Sequence, residues 1–258
     1  FKPVVTLLLL ALLLVAVLLS LALGPVAIPL DDTLRVLLRS FTAAELPAGQ
    51  VLIIEHIRLP RTLMAILVGA TLALTGAAMQ GLFRNPLADP SLIGVSSGAA
   101  LGAALFIVLG SALLSSVPAF VLPYATVLGA FLGGVATTWL VYRLGQSVQG
   151  TSVASMLLAG IAIAAISGAV IGLLSYLADD AMLRTLTFWN MGSLGAASYQ
   201  RVMVLAFCCV LVWWRLPLQA KALNAFLLGE SEARHLGVDV ELSLIHISEP
   251  TRLLSISY

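Results

Sequence analysis

The sequence predicts an all-α fold, a polytopic transmembrane helical bundle. Three observations carry that prediction. The chain of 258 residues is 60% hydrophobic and 10% charged, with a mean hydropathy of +1.08. A soluble domain has roughly 45–50% apolar and about 25% charged residues. The apolar residues also gather into about six runs, each near the ~20 residues needed to cross a hydrocarbon core. Between the runs fall glycine, proline and the charges. The formal net charge is +1, and no basic cluster offers the electrostatic footprint that nucleic acid requires.

Residues 4–23 form the first run. The apolar core of a signal peptide is shorter, about 7–15 residues, so this stretch reads as a span, ended by Gly24-Pro25. The segment 28–56 is polar, with Asp31, Asp32, Arg35, Arg39, Glu45 and Glu55. Leu34, Val36, Leu37 and Leu38 interleave with those charges near helical spacing, which predicts a short interfacial helix. A second span is expected at 61–82 and a shorter third at 91–109. After an uncharged loop around Pro118 and Pro123, a fourth follows at 124–142 and a fifth at 153–174. The more polar stretch 175–200 leads to a sixth span at 202–216, and 217–240 turns amphipathic.

Small residues recur four apart inside these runs, as in Gly94/Gly98/Gly102, Gly129/Gly133 and Gly168/Gly172. Lipid tails supply no hydrophobic force between helices, so close backbone approach through small residues drives packing there. These pairs predict a bundle without naming a substrate. The two cysteines, Cys208 and Cys209, are adjacent. Neighbours on a helix point apart, which argues against a disulfide between them. Lysines and arginines divide evenly between the two sides of the expected topology, so the positive-inside rule does not orient the chain.

Two stretches carry a more specific pattern. The first runs from Arg58 to Gly98, where Arg58, Pro60 and Arg61 head the second span. That span ends in a short polar break, Arg84-Asn85-Pro86-Leu87-Ala88-Asp89-Pro90. Proline lacks the amide donor and restricts the residue before it, so the break separates two helices sharply. Irregular backbone at membrane depth is tolerated where it is buried in protein or lines a cavity. The second stretch is Leu228-Gly229-Glu230-Ser231-Glu232-Ala233-Arg234-His235-Leu236-Gly237-Val238. Before it, Ala222, Leu223, Phe226 and Leu227 fit one helical stripe. Ala233 and Leu236 continue into a second short helix, which Gly237 would stop. Such a pair suits docking to a partner, or lying on the lipid surface. His235 reads as a surface residue. For Arg58 and Arg61 the plain alternative is snorkelling to the interface.

Other function classes find less support. Gly94-Val95-Ser96-Ser97-Gly98 fits the G-x-S-x-G string of serine hydrolases. That elbow needs a strand before it and a histidine partner, and no strand is readable there. A gradient-driven transporter would place acidic relays in mid-span, but the acidic residues fall outside the apolar runs. No Walker A string G-x-x-x-x-G-K-[ST] occurs, so the energy of an ATP-driven process would come from a separate subunit.

The stretch from Arg58 to Gly98 closely resembles the signature of FecCD or BtuC-like permease subunits. These belong to type II ABC importers for iron–siderophores, haem or cobalamin. The LGE-x-x-A-x-x-LGV pattern is similar to the family's coupling helices, and Trp189 to Leu194 resembles a further family motif. The resemblance implies gate or translocation-path roles for Gln80, Asn85, Pro86 and Leu87, at the cytoplasmic end of the path. It implies coupling to an ATPase groove through Leu228, Gly229, Glu230, Ala233, Leu236 and Gly237. It implies docking of a binding protein on Arg58 and Arg61, where exposed ion pairs would set register and encounter rate more than affinity.

The expected partners follow from the same resemblance. They are a second permease (as homodimer or heterodimer), a pair of ATP-binding subunits, and a periplasmic or lipid-anchored substrate-binding protein. The expected setting is the inner membrane, with membrane lipid around a multi-pass chain. The chain itself is expected to be no enzyme and to bind no cofactor, ATP and Mg residing on the partner ATPase. Iron–siderophore is the first expected substrate, ahead of haem and cobalamin. No cluster of metal ligands is visible in the spans, which suits a pore passing an intact chelate. The family usually has about ten spans, so residues 1–241 are expected to be a partial permease domain with coupling helices at 218–238. The string LSLIHISEPTR at 242–252 resembles a translated sequencing-library adapter, so 242–258 is expected to be a non-native tail.

Overall fold

The computed structural model describes residues 2–38, 47–113, 122–147 and 150–228. The chain passes in order through helices α1 (Lys2–Ala22), α2 (Leu30–Leu37), α3 (Ala48–Phe83), α4 (Val95–Leu113) and α5 (Leu122–Gly145). There follow α6 (Val153–Leu177), α7 (Asp180–Met191), α8 (Tyr199–Leu218) and α9 (Ala220–Leu228). Among the described residues, extended pairing is confined to Gln146–Ser147 and Gly150–Thr151, an antiparallel contact between α5 and α6.

Among the described residues, five helices are long and apolar enough to cross a membrane: α1 over Pro3–Ala22, α3, α5 over Tyr124–Gly145, α6 and α8. The short third span expected at 91–109 corresponds to α4, whose apolar part among the described residues is Val95–Gly110. It begins late for a local reason. The Asp89 side chain caps a 3-10 turn, Pro90–Ile93, and Gly94 then goes left-handed (φ 78°) before the α-helix starts. The second span begins earlier than residue 61, because α3 is continuous from Ala48. Pro60 has no amide hydrogen to give to the turn before it. The chain ahead of it widens into a π turn, Ile53–Arg58, a known way of accommodating a break in the hydrogen-bond ladder without ending a helix.

The chain divides into two compact units, Phe1–Leu67 with Leu194–Phe207, and Val68–Ser193 with Cys208–Tyr258. In the first, α2 is the interfacial helix that the sequence predicts. Its Arg35 pairs with Asp31 at 2.7 Å, one turn away on the outer face, while Thr33 and Val36 are buried on the other. Val36 joins Ile28 and Ile54 in a small core. Tyr199, at the head of α8, donates its hydroxyl to the Glu55 carbonyl at 2.7 Å and meets the His56 ring edge-on.

The second unit holds the larger core. Ala78, Met79 and Leu82 of α3 pack with Ile93, Val95, Val141, Met156, Ile163, Leu216 and Ala225. A second cluster joins Ala104 and Val108 of α4 to Leu174 of α6 and Leu186 of α7. Helices α4 and α5 cross backbone to backbone through glycines. A Cβ added at Gly98 would lie 2.6 Å from the Gly133 carbonyl oxygen, and one at Gly129 would lie 2.8 Å from that of Gly102. Among the described residues, a Cβ at Gly168 or Gly172 would meet nothing within 4 Å. Three glycine pairs of equal spacing thus differ in what they face.

Candidate functional site

The break after α3 is built by its own backbone chemistry. Arg84 adopts a left-handed conformation (φ 50°). Its amide donates to the Gly81 carbonyl at 3.3 Å, and the Asn85 amide donates to that of Gln80 at 3.2 Å. This double return satisfies helix-end carbonyls in the Schellman manner, with arginine where glycine is usual. Asn85 then accepts the Leu87 amide on its Oδ1 at 2.9 Å, and its carbonyl accepts the Ala88 amide at 3.0 Å. A side-chain acceptor two residues back and a proline with preset φ are what a tight turn uses. The Asp89 Oδ1 takes the Ser91 amide at 2.7 Å.

The root of this turn is packed and its tip is not. Met79, Leu82 and Ala88 are buried, whereas Gln80, Arg84, Asn85 and Pro86 are exposed, and Leu87 is 85% exposed. The far side of the turn is clamped through Gly94. Its carbonyl accepts from Ser97 Oγ at 3.0 Å and from the buried Thr137 Oγ1 of α5 at 3.1 Å. Thr137 was not singled out by the sequence reading. The available signal was that it continues the four-residue spacing of Gly129 and Gly133.

The start of the amphipathic segment reaches the same root. Helix α9 buries Ala222 and Ala225 and sets Leu223 against the cluster that contains Leu82. A Cβ on Gly81 would lie 3.6 Å from Leu223 Cδ2. The described start of the 218–238 segment therefore packs at the C-terminal end of α3, next in sequence to Gln80. Leu228 closes α9. Gly229, Glu230, Ala233, Leu236, Gly237 and His235 lie outside the described residues.

The paired arginines separate. Arg61 is exposed. Arg58 is 6% exposed, and its guanidinium donates to the carbonyls of Leu21 at 2.7 Å, Ala22 at 2.6 Å and Val26. Arg58 is thus turned onto this chain's own carbonyls, while Arg61 faces outward. The reason is long-range: α1 brings its last carbonyls to the π turn.

The serine string fares no better as an elbow. Ser96 is exposed in the first turn of α4, and a 3-10 turn precedes it in place of a strand. Among the described residues, no group of three or more His, Cys, Asp or Glu side chains could hold a metal ion.

The profile of the FecCD transport family matches residues 12–248. The hemin transport system permease protein HmuU of Yersinia pestis is 44% identical over 192 residues, 74% of this chain and 56% of that protein. The vitamin B12 import system permease protein BtuC of Klebsiella pneumoniae is 39% identical over 232 residues, 90% of this chain and 63% of that protein. Among solved structures, an inward-facing conformation of a protein described as a metal-chelate type ABC transporter superposes with a TM-score of 0.79 at 29% identity. That match covers 99% of this chain and 75% of the other. The chain spans between half and two-thirds of the length of these curated relatives.

Proposed function

The chain belongs to the FecCD transport family, and from that premise we propose that it serves as the permease subunit of an ATP-driven importer. The observation that carries the mechanism is the packing of α9 on the root of the Gln80–Leu87 turn. A push on the segment 218–238 from an ATPase subunit would pass through Leu223 to Gly81 and Leu82, and so to Asn85 and Leu87 at the tip. Alternating access then follows as reordering of an exposed turn on a packed base. ATP and Mg belong to the ATPase pair, a second permease completes the path, and a substrate-binding protein docks at the Arg61 end of α3. The inner membrane is the setting.

The named relatives transport hemin and vitamin B12, so the substrate class proposed is a metal held in a tetrapyrrole-type ring, with haem first and cobalamin second. An iron–siderophore, the expectation from sequence alone, is the competing substrate. Uptake of labelled haem by cells carrying this permease and its ATPase and binding-protein partners tests the choice. Excess unlabelled haem should abolish the uptake, and excess cobalamin or ferric siderophore should leave most of it. Saturable siderophore uptake that haem does not inhibit would overturn the assignment.

A further inference from the structure

Helix α1 poses a problem of attachment. Only 6% of an 18-residue apolar window within its Pro3–Ala22 stretch is buried, and its leucines and valines from Val4 to Val15 are exposed. In lipid those side chains gain nothing by leaving the tails for another helix. Yet its last turn is fixed. Leu21 and Ala22 are buried, and Ser20 Oγ lies 2.8 Å from Thr62 Oγ1. The final carbonyls of any helix lack partners within it. Here Arg58 supplies donors to those of Leu21 and Ala22 from one nitrogen, and to that of Val26 beyond the helix from the other.

We propose that Arg58 is the positioning residue of α1, a latch that closes the end of this helix onto the π turn of α3 and holds an otherwise unburied span to its unit. Three features fit this role. A cation at a helix C-terminus opposes the negative end of the helix dipole. The planar guanidinium reaches several acceptors in a fixed fork, which an ammonium does not. Gly24 leaves the room: a Cβ there would come within 2.8 Å of Arg58 Nη2, a nitrogen that its hydrogen bonds hold in place. The latch also divides the labour at the head of the second span. Arg58 works inward on this chain's own carbonyls, and Arg61 keeps the outward charge.

Oxidative cross-linking in membranes tests the latch. In the full chain, Ser20→Cys with Thr62→Cys removes the neighbouring hydroxyl bond and reports how often α1 meets α3, with the disulfide mapped by mass spectrometry. Adding Arg58→Ala should slow disulfide formation by about tenfold or more, the scale of losing charge-assisted hydrogen bonds. Arg58→Lys should give an intermediate rate, and Arg61→Ala the parental rate. Gly24→Val, which leaves the charge and displaces the guanidinium, should slow the reaction as Arg58→Ala does. Parental rates in Arg58→Ala would overturn the proposal. Should that variant fail to accumulate, parental rates in both Arg58→Lys and Gly24→Val would overturn it equally.

Discussion

Replacing Gly133 with leucine should separate α4 from α5 and unfold the larger unit at a markedly lower temperature. A Cβ at Gly133 would lie 3.1 Å from the Gly102 Cα, and one at Gly98 would lie 2.6 Å from the Gly133 carbonyl oxygen. These neighbours are backbone, which cannot move aside as a side chain tip can. Overpacking a tight core costs about 1–3 kcal/mol and sometimes more, and contact with backbone favours the upper end. The crossing also sets the clamp on the far side of the Asn85–Leu87 turn, because Thr137 reaches both the Gly133 and Gly94 carbonyls. In detergent, the thermal midpoint of Gly133→Leu should fall by about 5–10 °C, taking ~2–4 °C per kcal/mol for a chain of this size. Gly168→Leu, where a Cβ meets nothing within 4 Å, should leave the midpoint near the parent's. Equal midpoints for parent and Gly133→Leu would contradict the crossing.

The second large effect falls on coupling. Glu230→Ala with Leu236→Ala should leave ATP hydrolysis by the assembled importer running while chelate uptake fails. The two residues are assigned by resemblance to the family's coupling helices, and the chain leads into them directly from α9. Helix α9 is packed on the root of the Asn85–Leu87 turn, so under the proposed mechanism a loosened grip on the ATPase would lose its lever on Asn85 and Leu87. Coupling between distant sites commonly amounts to a factor of about 5 to 150, and the uptake-to-hydrolysis ratio in proteoliposomes should drop by a factor in that range. An unchanged ratio would refute the assignment of these residues.

Much of the fold can be read from where apolar runs stop. The spans appear as runs, and the turn at Asn85-Pro86-Leu87 appears because proline and asparagine have few other uses between two such runs. What could not be read depends on which face meets which. Gly133 and Gly168 have equivalent partners four residues away, yet a Cβ at the first would meet backbone and one at the second would meet nothing within 4 Å among the described residues; spacing gives a face and not its neighbour. Arg58 and Arg61 lie one helical turn apart and look alike in sequence. Burial of the first is decided by carbonyls more than thirty residues upstream. The early start of α3 was hidden by Pro60, which ordinarily breaks a helix and here follows a π turn. Thr137 was missed because neither member of the Thr137-Thr138 pair in an apolar run gives a sign that one of them bonds the Gly94 carbonyl at the start of another helix.

ATP dependence of uptake tests the central claim most directly. Proteoliposomes holding this permease with its ATPase partner, supplied with the binding protein and labelled haem, should accumulate the chelate only when hydrolysable ATP reaches the ATPase face. Accumulation should persist after ionophores collapse proton and sodium gradients. Uptake that runs on such a gradient without ATP would contradict the importer reading and favour a secondary transporter.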